Sequence, residues 1–139
     1  MNDDAPLVAV VDDEESIRRA LLRLLASAHY RAEAFDSAAG FLETLSKRTF
    51  ECLILDLQMP AMTGLELQQR LHELHVHLPI IVITAYDEPE TRARCLALGA
   101  ERYFCKPVDG HSLIESVQEL IESRRGRDRG DVAPPAPLV

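Results

Sequence analysis

Carboxylates, a hydroxyl and an ammonium stand directly after short apolar runs in this sequence. Leu7-Val8-Ala9-Val10-Val11 gives way to Asp12-Asp13-Glu14-Glu15, and Cys52-Leu53-Ile54-Leu55 to Asp56. Ile80-Ile81-Val82-Ile83 leads to Thr84, and the short run from Arg102 to Cys105 leads to Lys106-Pro107. Carboxylates crowded together raise one another's pKa unless a cation compensates. Hard oxygen ligands with room for water are what Mg²⁺ prefers. A lysine beside a metal-filled carboxylate cluster would attract a phosphoryl group, which carries three anionic oxygens. Only two of the 15 basic residues are lysines. A compact ammonium at position 106, rather than the planar fork of arginine, suits a single phosphoryl oxygen. Pro107 permits a cis peptide bond that would fold the side chain back into such a site.

The elements that must position these groups follow from the hydrophobic pattern. The first, third and fourth runs are nearly unbroken and β-branched, as expected of strands buried on both faces. Residues 30–35 alternate Arg31 and Glu33 with Ala32 and Ala34, a second strand, and Arg102 to Cys105 is a short fifth. Between them, Ile17, Ala20, Leu21, Leu24, Leu25 and Ala28 recur at helical spacing. So do Phe41, Leu42 and Leu45 after Ser37, then Leu65, Leu67, Leu71 and Leu74. Glu90 to Leu98 is a fourth helix that Gly99 would end. Leu113, Ile114, Val117, Leu120 and Ile121 form a fifth, opened by Asp109 as N-cap. Five strand–helix units with short connections imply a parallel sheet covered by helices on both faces. In such sheets functional groups gather beyond the carboxyl ends of the strands, where the strand order switches. Asp12, Asp13, Asp56, Thr84 and Lys106 then meet at one edge, with Asp56 on the middle strand as the natural nucleophile. Glu14 and Glu15 suit the first turn of the next helix, by the helix dipole's preference for acids there.

Composition bounds the answer. The 139 residues, 47% hydrophobic and 27% charged, suit one domain. A net charge of −8 argues against nucleic acid as the main partner. Three scattered cysteines make no disulfide framework and suit a reducing compartment, the cytoplasm. No apolar run approaches the roughly 20 residues of a membrane helix. After Glu122 the composition changes. Residues 123–139 hold four of the basic and two of the acidic side chains, leaving 11 against 21 before them. The division expected is a domain over residues 1–122 and an Arg/Gly/Pro-rich tail or linker over 123–139.

The residues quoted so far resemble the receiver domain of bacterial two-component response regulators. The matching segments are Val10-Val11-Asp12-Asp13-Glu14, Leu53 to Pro60 with Thr63-Gly64, Ile83-Thr84-Ala85, Leu98-Gly99-Ala100 and Lys106-Pro107. The stretches around Glu15-Ser16-Ile17-Arg18 and Tyr86-Asp87-Glu88 are similar to FixJ-type receivers. The resemblance runs from residue 6 to about 122. It implies a flavodoxin-like (βα)5 fold, a doubly wound parallel five-stranded sheet with helices on both faces.

The resemblance also implies a mechanism. Asp56 would take a phosphoryl group from the phosphohistidine of a sensor histidine kinase, giving an aspartyl phosphate. Asp13 and Asp56 would bind Mg²⁺ directly, the backbone carbonyl of Gln58 would be a third ligand, and Asp12 would act mainly through water. Lys106 would stabilise a phosphoryl oxygen and Thr84 would move to hydrogen-bond the group. Tyr103 would rotate inward, changing the surface of the fourth helix, fifth strand and fifth helix. By itself, a tyrosine on an edge strand would be half-buried with its hydroxyl wet. Ala85 is small and would leave the site open to the donor and to water. Gln58 and Tyr86 occupy positions that, in the family, tune acyl-phosphate hydrolysis.

Such a chain is a phosphoacceptor signalling domain that assists its own phosphotransfer and dephosphorylation, not an enzyme acting on a separate substrate. It would work alone or as the receiver of a FixJ-type transcription regulator, forming a homodimer on phosphorylation and meeting DNA only through an output domain beyond these residues. No helix-turn-helix pattern fits in 123–139. An aspartate-nucleophile phosphatase is the rival, but such enzymes carry a second Asp two residues on, where this chain has Gln58. Nucleotide-binding readings lack a G-x-G-x-x-G or P-loop after the first strand. Of the remaining residues, His72, His75 and His77 read as a solvated helix end. Cys105 beside Lys106 could be an activated thiol by charge proximity, but it reads first as a small buried strand residue, and Cys52 and Cys95 read as core.

Overall fold

The structure, a computed structural model, describes residues 5–128. Five strands and five helices alternate: β1 (Leu7–Val11), α1 (Glu15–Ser27), β2 (Arg31–Phe35), α2 (Ala38–Thr44), β3 (Cys52–Asp56), α3 (Gly64–Glu73), β4 (Ile80–Thr84), α4 (Pro89–Ala97), β5 (Ala100–Cys105) and α5 (Gly110–Asp128). All pairings are parallel and the strand order is β2-β1-β3-β4-β5, the flavodoxin-like order. The chain reverses direction across the sheet between β1 and β3, so a crevice opens beyond their carboxyl ends.

The pleat sorts the strand residues into two cores. Ala9, Val11, Leu53, Leu55, Ile80 and Val82 meet Phe41 of α2, Leu67 and Leu71 of α3 and Cys95 of α4. Val8, Val10, Cys52, Ile54, Ile81 and Ile83 meet Leu21 and Leu25 of α1 and Leu113, Val117 and Ile121 of α5. Burial of both faces explains why β1, β3 and β4 read as unbroken apolar runs. Each large side chain enclosed there contributes about 1.5–3 kcal/mol.

Element ends differ from the pattern reading for identifiable reasons. Tyr30 falls outside β2 because its N–H donates to Leu25 O at 3.0 Å and that of His29 to Ala26 O, which closes α1. His75 closes α3 in the same way, with Val76 N donating to Leu71 O at 2.9 Å. Both histidines take positive φ, 68° and 56°, where glycine is the usual choice. β5 begins two residues earlier than expected, because the pairing with β4 skips Glu101. The composition change after Glu122 is not a break in structure: α5 continues to Asp128. Arg125 forks onto Glu51 with both hydrogen bonds at 2.7 Å, which holds the added turns against the start of β3. The proline-containing stretch 133–137 lies outside the described residues.

Candidate functional site

Asp12 follows β1 at the switch point and is fully buried. Its backbone N–H extends the β1–β2 ladder by donating to Phe35 O at 3.1 Å, which fixes where the side chain starts. Its Oδ1 accepts from Glu14 N at 2.9 Å, and its carbonyl accepts from Arg18 at 2.9 Å. Glu14 is the N-cap of α1 but makes no side-chain capping bond, and Glu15 lies in the first turn as expected. Arg18 is a supporting residue whose contact no motif announced. Asp13 is exposed, at the mouth of the crevice.

Asp56 ends β3, the central strand, and is 2% exposed. Lys106 directly follows β5 and precedes a cis Lys106–Pro107 peptide, and its backbone N–H donates to Thr84 O at 2.7 Å. Its Nζ donates to Asp12 Oδ2 at 3.0 Å and lies 3.3 Å from Asp56 Oδ1. Glu14 Oε1 is 4.0 Å away. Burial works against the ammonium, yet the two aspartates outweigh it and raise its pKa. One ammonium does not balance the cluster. Burial first, and the Asp12 charge second, push the Asp56 carboxyl up to about 6 despite Lys106. Asp56 Oδ1 is enclosed and accepts no hydrogen bond of good geometry, its close contact being the Lys106 ion pair.

Asp12, Asp13 and Asp56 each offer a carboxylate oxygen within 4.8 Å of the others. Octahedral Mg²⁺ at about 2.1 Å from its ligands spans about 4.2 Å, so the set needs little closure to hold one. An unpartnered buried carboxylate oxygen, surplus negative charge and all-oxygen donors fit this cation. The three aspartates are the one such group among the described residues, and His72, His75 and His77 do not join into another.

Thr84 and Tyr103 sit on adjoining strands, Thr84 beside Cys105 and Val82 beside Tyr103. The Thr84 side chain is fully buried. Its hydroxyl accepts from Tyr86 N at 3.1 Å and donates to Gln58 Oε1 at 2.7 Å. That side-chain bond from Gln58, an exposed residue of the β3–α3 connection, was invisible in sequence. Tyr103 is half-buried as expected, but its hydroxyl is not wet: it is enclosed and without a hydrogen-bond partner. Burial, then the Asp87 charge, push its pKa up to about 12. The Arg92 guanidinium lies 5.3 Å from the ring centroid, a cation–π cover from α4. Cys52 and Cys95 are core residues, but Cys105 is exposed, at the open end of edge strand β5. Its thiol pKa is raised, by desolvation and by Asp87, the reverse of activation.

The model of the response regulator receiver domain matches residues 8–118. This chain belongs to that family. The receiver is 33% identical over 122 residues to the response regulator protein TmoT of Ectopseudomonas mendocina, covering 88% of this chain and 56% of TmoT. It is 36% identical over 122 residues to the transcriptional regulatory protein TdiR of Thauera aromatica, covering 88% of this chain and 54% of TdiR. The crystal structure of FixJ-N superposes with a TM-score of 0.78 at 31% identity, over 88% of this chain and 96% of that one. The receiver thus spans about half the length of the curated relatives it matches. It is a signalling domain of two-component systems; receivers of this family generally bind Mg²⁺ at an acidic pocket, and this chain brings Asp12, Asp13 and Asp56 together at its crevice. No helix among the described residues is long and apolar enough to cross a membrane.

Proposed function

We propose that Asp56 accepts a phosphoryl group from the phosphohistidine of a sensor histidine kinase. The observation that carries this is the buried Asp56 oxygen, without a hydrogen bond, 3.3 Å from the Lys106 ammonium. An Asp56 carboxylate oxygen attacks phosphorus, the P–N bond breaks, and imidazole leaves with its electron pair and takes a proton. Asp13, Asp56 and the Gln58 carbonyl would hold Mg²⁺ directly and Asp12 through water, the cation supplying charge that offsets repulsion between phosphate and carboxylates. Lys106 shifts from the aspartates to a phosphoryl oxygen, an electrostatic contribution made where charge accumulates. Thr84 turns to donate to another oxygen, and Tyr103 moves with it, remodelling the α4–β5–α5 surface. The same groups assist hydrolysis of the acyl phosphate, which ends the signal. Incubation with Mg²⁺ and acetyl phosphate should add one phosphoryl mass, and Asp56→Asn should abolish it. Labelling elsewhere in that variant sinks the assignment.

The output reading rests on the relatives. With about half of TmoT and TdiR matched, the receiver is proposed to regulate transcription through a DNA-binding output domain in a longer protein of the cytoplasm. Residues 1–122 would be the phosphoacceptor unit and 123–139 the start of the connection, its first turns held by Glu51. Phosphorylation would drive homodimerisation through α4–β5–α5. Sedimentation should show that shift, reduced by Thr84→Ala; no shift indicates a monomeric regulator.

A further inference from the structure

We propose that the Gln58 side chain is a latch that holds Thr84 away from the phosphoryl position in the resting receiver. Three observations bring this together. Thr84 is fully buried, so its rotamer is set by the partners its hydroxyl finds. That oxygen is already engaged as acceptor by Tyr86 N at 3.1 Å. Its single proton has two acceptors in reach, Gln58 Oε1 at 2.7 Å and Tyr86 O at 3.2 Å, and the shorter bond goes to Gln58. The bond joins the ends of β3 and β4 above the sheet, 26 residues apart in the chain.

The proposal rests on Thr84 as the group that turns toward phosphorylated Asp56. To do so the hydroxyl must surrender its proton's bond to Gln58. A hydrogen bond made only in the resting state biases the equilibrium toward that state. Gln58 is thus a positioning residue, acting through Thr84 and not on phosphorus. It is exposed, so solvent competes for its amide and the latch opens readily. Methionine at 58 keeps the length of the side chain and removes the acceptor, while glutamate keeps the acceptor.

The test has two arms. In metal-free protein without a phosphoryl mimic, three-bond couplings to the Thr84 methyl carbon report its χ1 rotamer. Wild type and Gln58→Glu should show one dominant rotamer and Gln58→Met an averaged one; an unchanged rotamer in Gln58→Met overturns the latch. This arm is independent of whether Asp56 is the phosphoacceptor. In the second arm, beryllofluoride with Mg²⁺ is titrated into each protein. Gln58→Met should lower the half-saturating concentration about fivefold, which is about 1 kcal/mol, the usual net worth of a hydrogen bond. In a Thr84→Val background the same change should have no effect. A fivefold shift that persists there shows Gln58 acting without Thr84 and overturns the proposal. If wild type fails to bind the mimic, it is the phosphoacceptor reading that fails.

Discussion

Lys106 Nζ meets Asp12 Oδ2 at 3.0 Å across 94 positions of sequence. The same ammonium lies 3.3 Å from Asp56 Oδ1, so among the described residues one cation serves two buried carboxylates. This arrangement makes the resting site electrostatically incomplete.

Removing the lysine should be costly and reparable. Breaking a buried ion pair from one side costs on the order of 3 kcal/mol, because the partner charge stays behind. Lys106→Met should lower urea stability at pH 7 by that order in chelator, and Mg²⁺ should restore part of it. An undiminished midpoint would mean that the ammonium does not pair with Asp12 in solution.

Asp56 should destabilise the metal-free fold at neutral pH. Its pKa is about 6 against an ordinary 3.8, so the folded chain keeps a proton that the unfolded chain has lost. Stability from this group therefore falls as pH rises from about 4 to about 6, and the cost is complete above that window. Two pKa units correspond to roughly 3 kcal/mol, so Asp56→Asn should stabilise the protein by up to that order at pH 7. The gain should fade toward pH 4; a constant gain across the range contradicts the buried-charge account.

Mg²⁺ should protect the fold. Saturation to 100 times Kd adds about 2.7 kcal/mol. Calorimetry should show a matching rise in Tm, weakened at least tenfold in apparent affinity by Asp13→Asn. Equal affinity in that variant removes Asp13 from the ligand set.

Gly64 should not tolerate alanine. A Cβ there would sit 2.5 Å from Asp56 O and 2.8 Å from Leu57 Cα, both backbone atoms with little room to give. Gly64→Ala should destabilise by about 1–3 kcal/mol through overpacking and displace Asp56 from the Lys106 ammonium. Denaturant titration tests the first effect and Mg²⁺ affinity the second.

The Glu51–Arg125 fork should hold the end of α5 without governing global stability. Arg125 and Glu51 are both partly exposed to solvent, so Glu51→Gln should cost no more than about 1 kcal/mol. Amide exchange should accelerate from Ser123 onward while α5's earlier turns stay protected. Uniform acceleration along α5 would show that the fork supports the whole helix.

The sequence by itself determined the sheet, the alternation of helices and the chemical cast at the crevice. Burial on both faces demands unbroken apolar runs, and each run ends where solvent begins, so Asp12, Asp56 and Thr84 were legible at the strand ends. Helix ends were legible where glycine marks them, as at Gly99, and where His72, His75 and His77 cluster, but not at His29, which takes positive φ without a glycine. What only the tertiary structure decided are relations between distant segments. Lys106 lies between Asp12 and Asp56, Gln58 accepts a hydrogen bond from the Thr84 hydroxyl, the Tyr103 hydroxyl is enclosed and Cys105 is open. The end of α5 belongs to this class as well, since composition saw a tail where Glu51 binds a helix. Local patterning encodes which face of an element is buried. It does not encode which side chain waits across the crevice, because that distance is set by packing of the whole sheet.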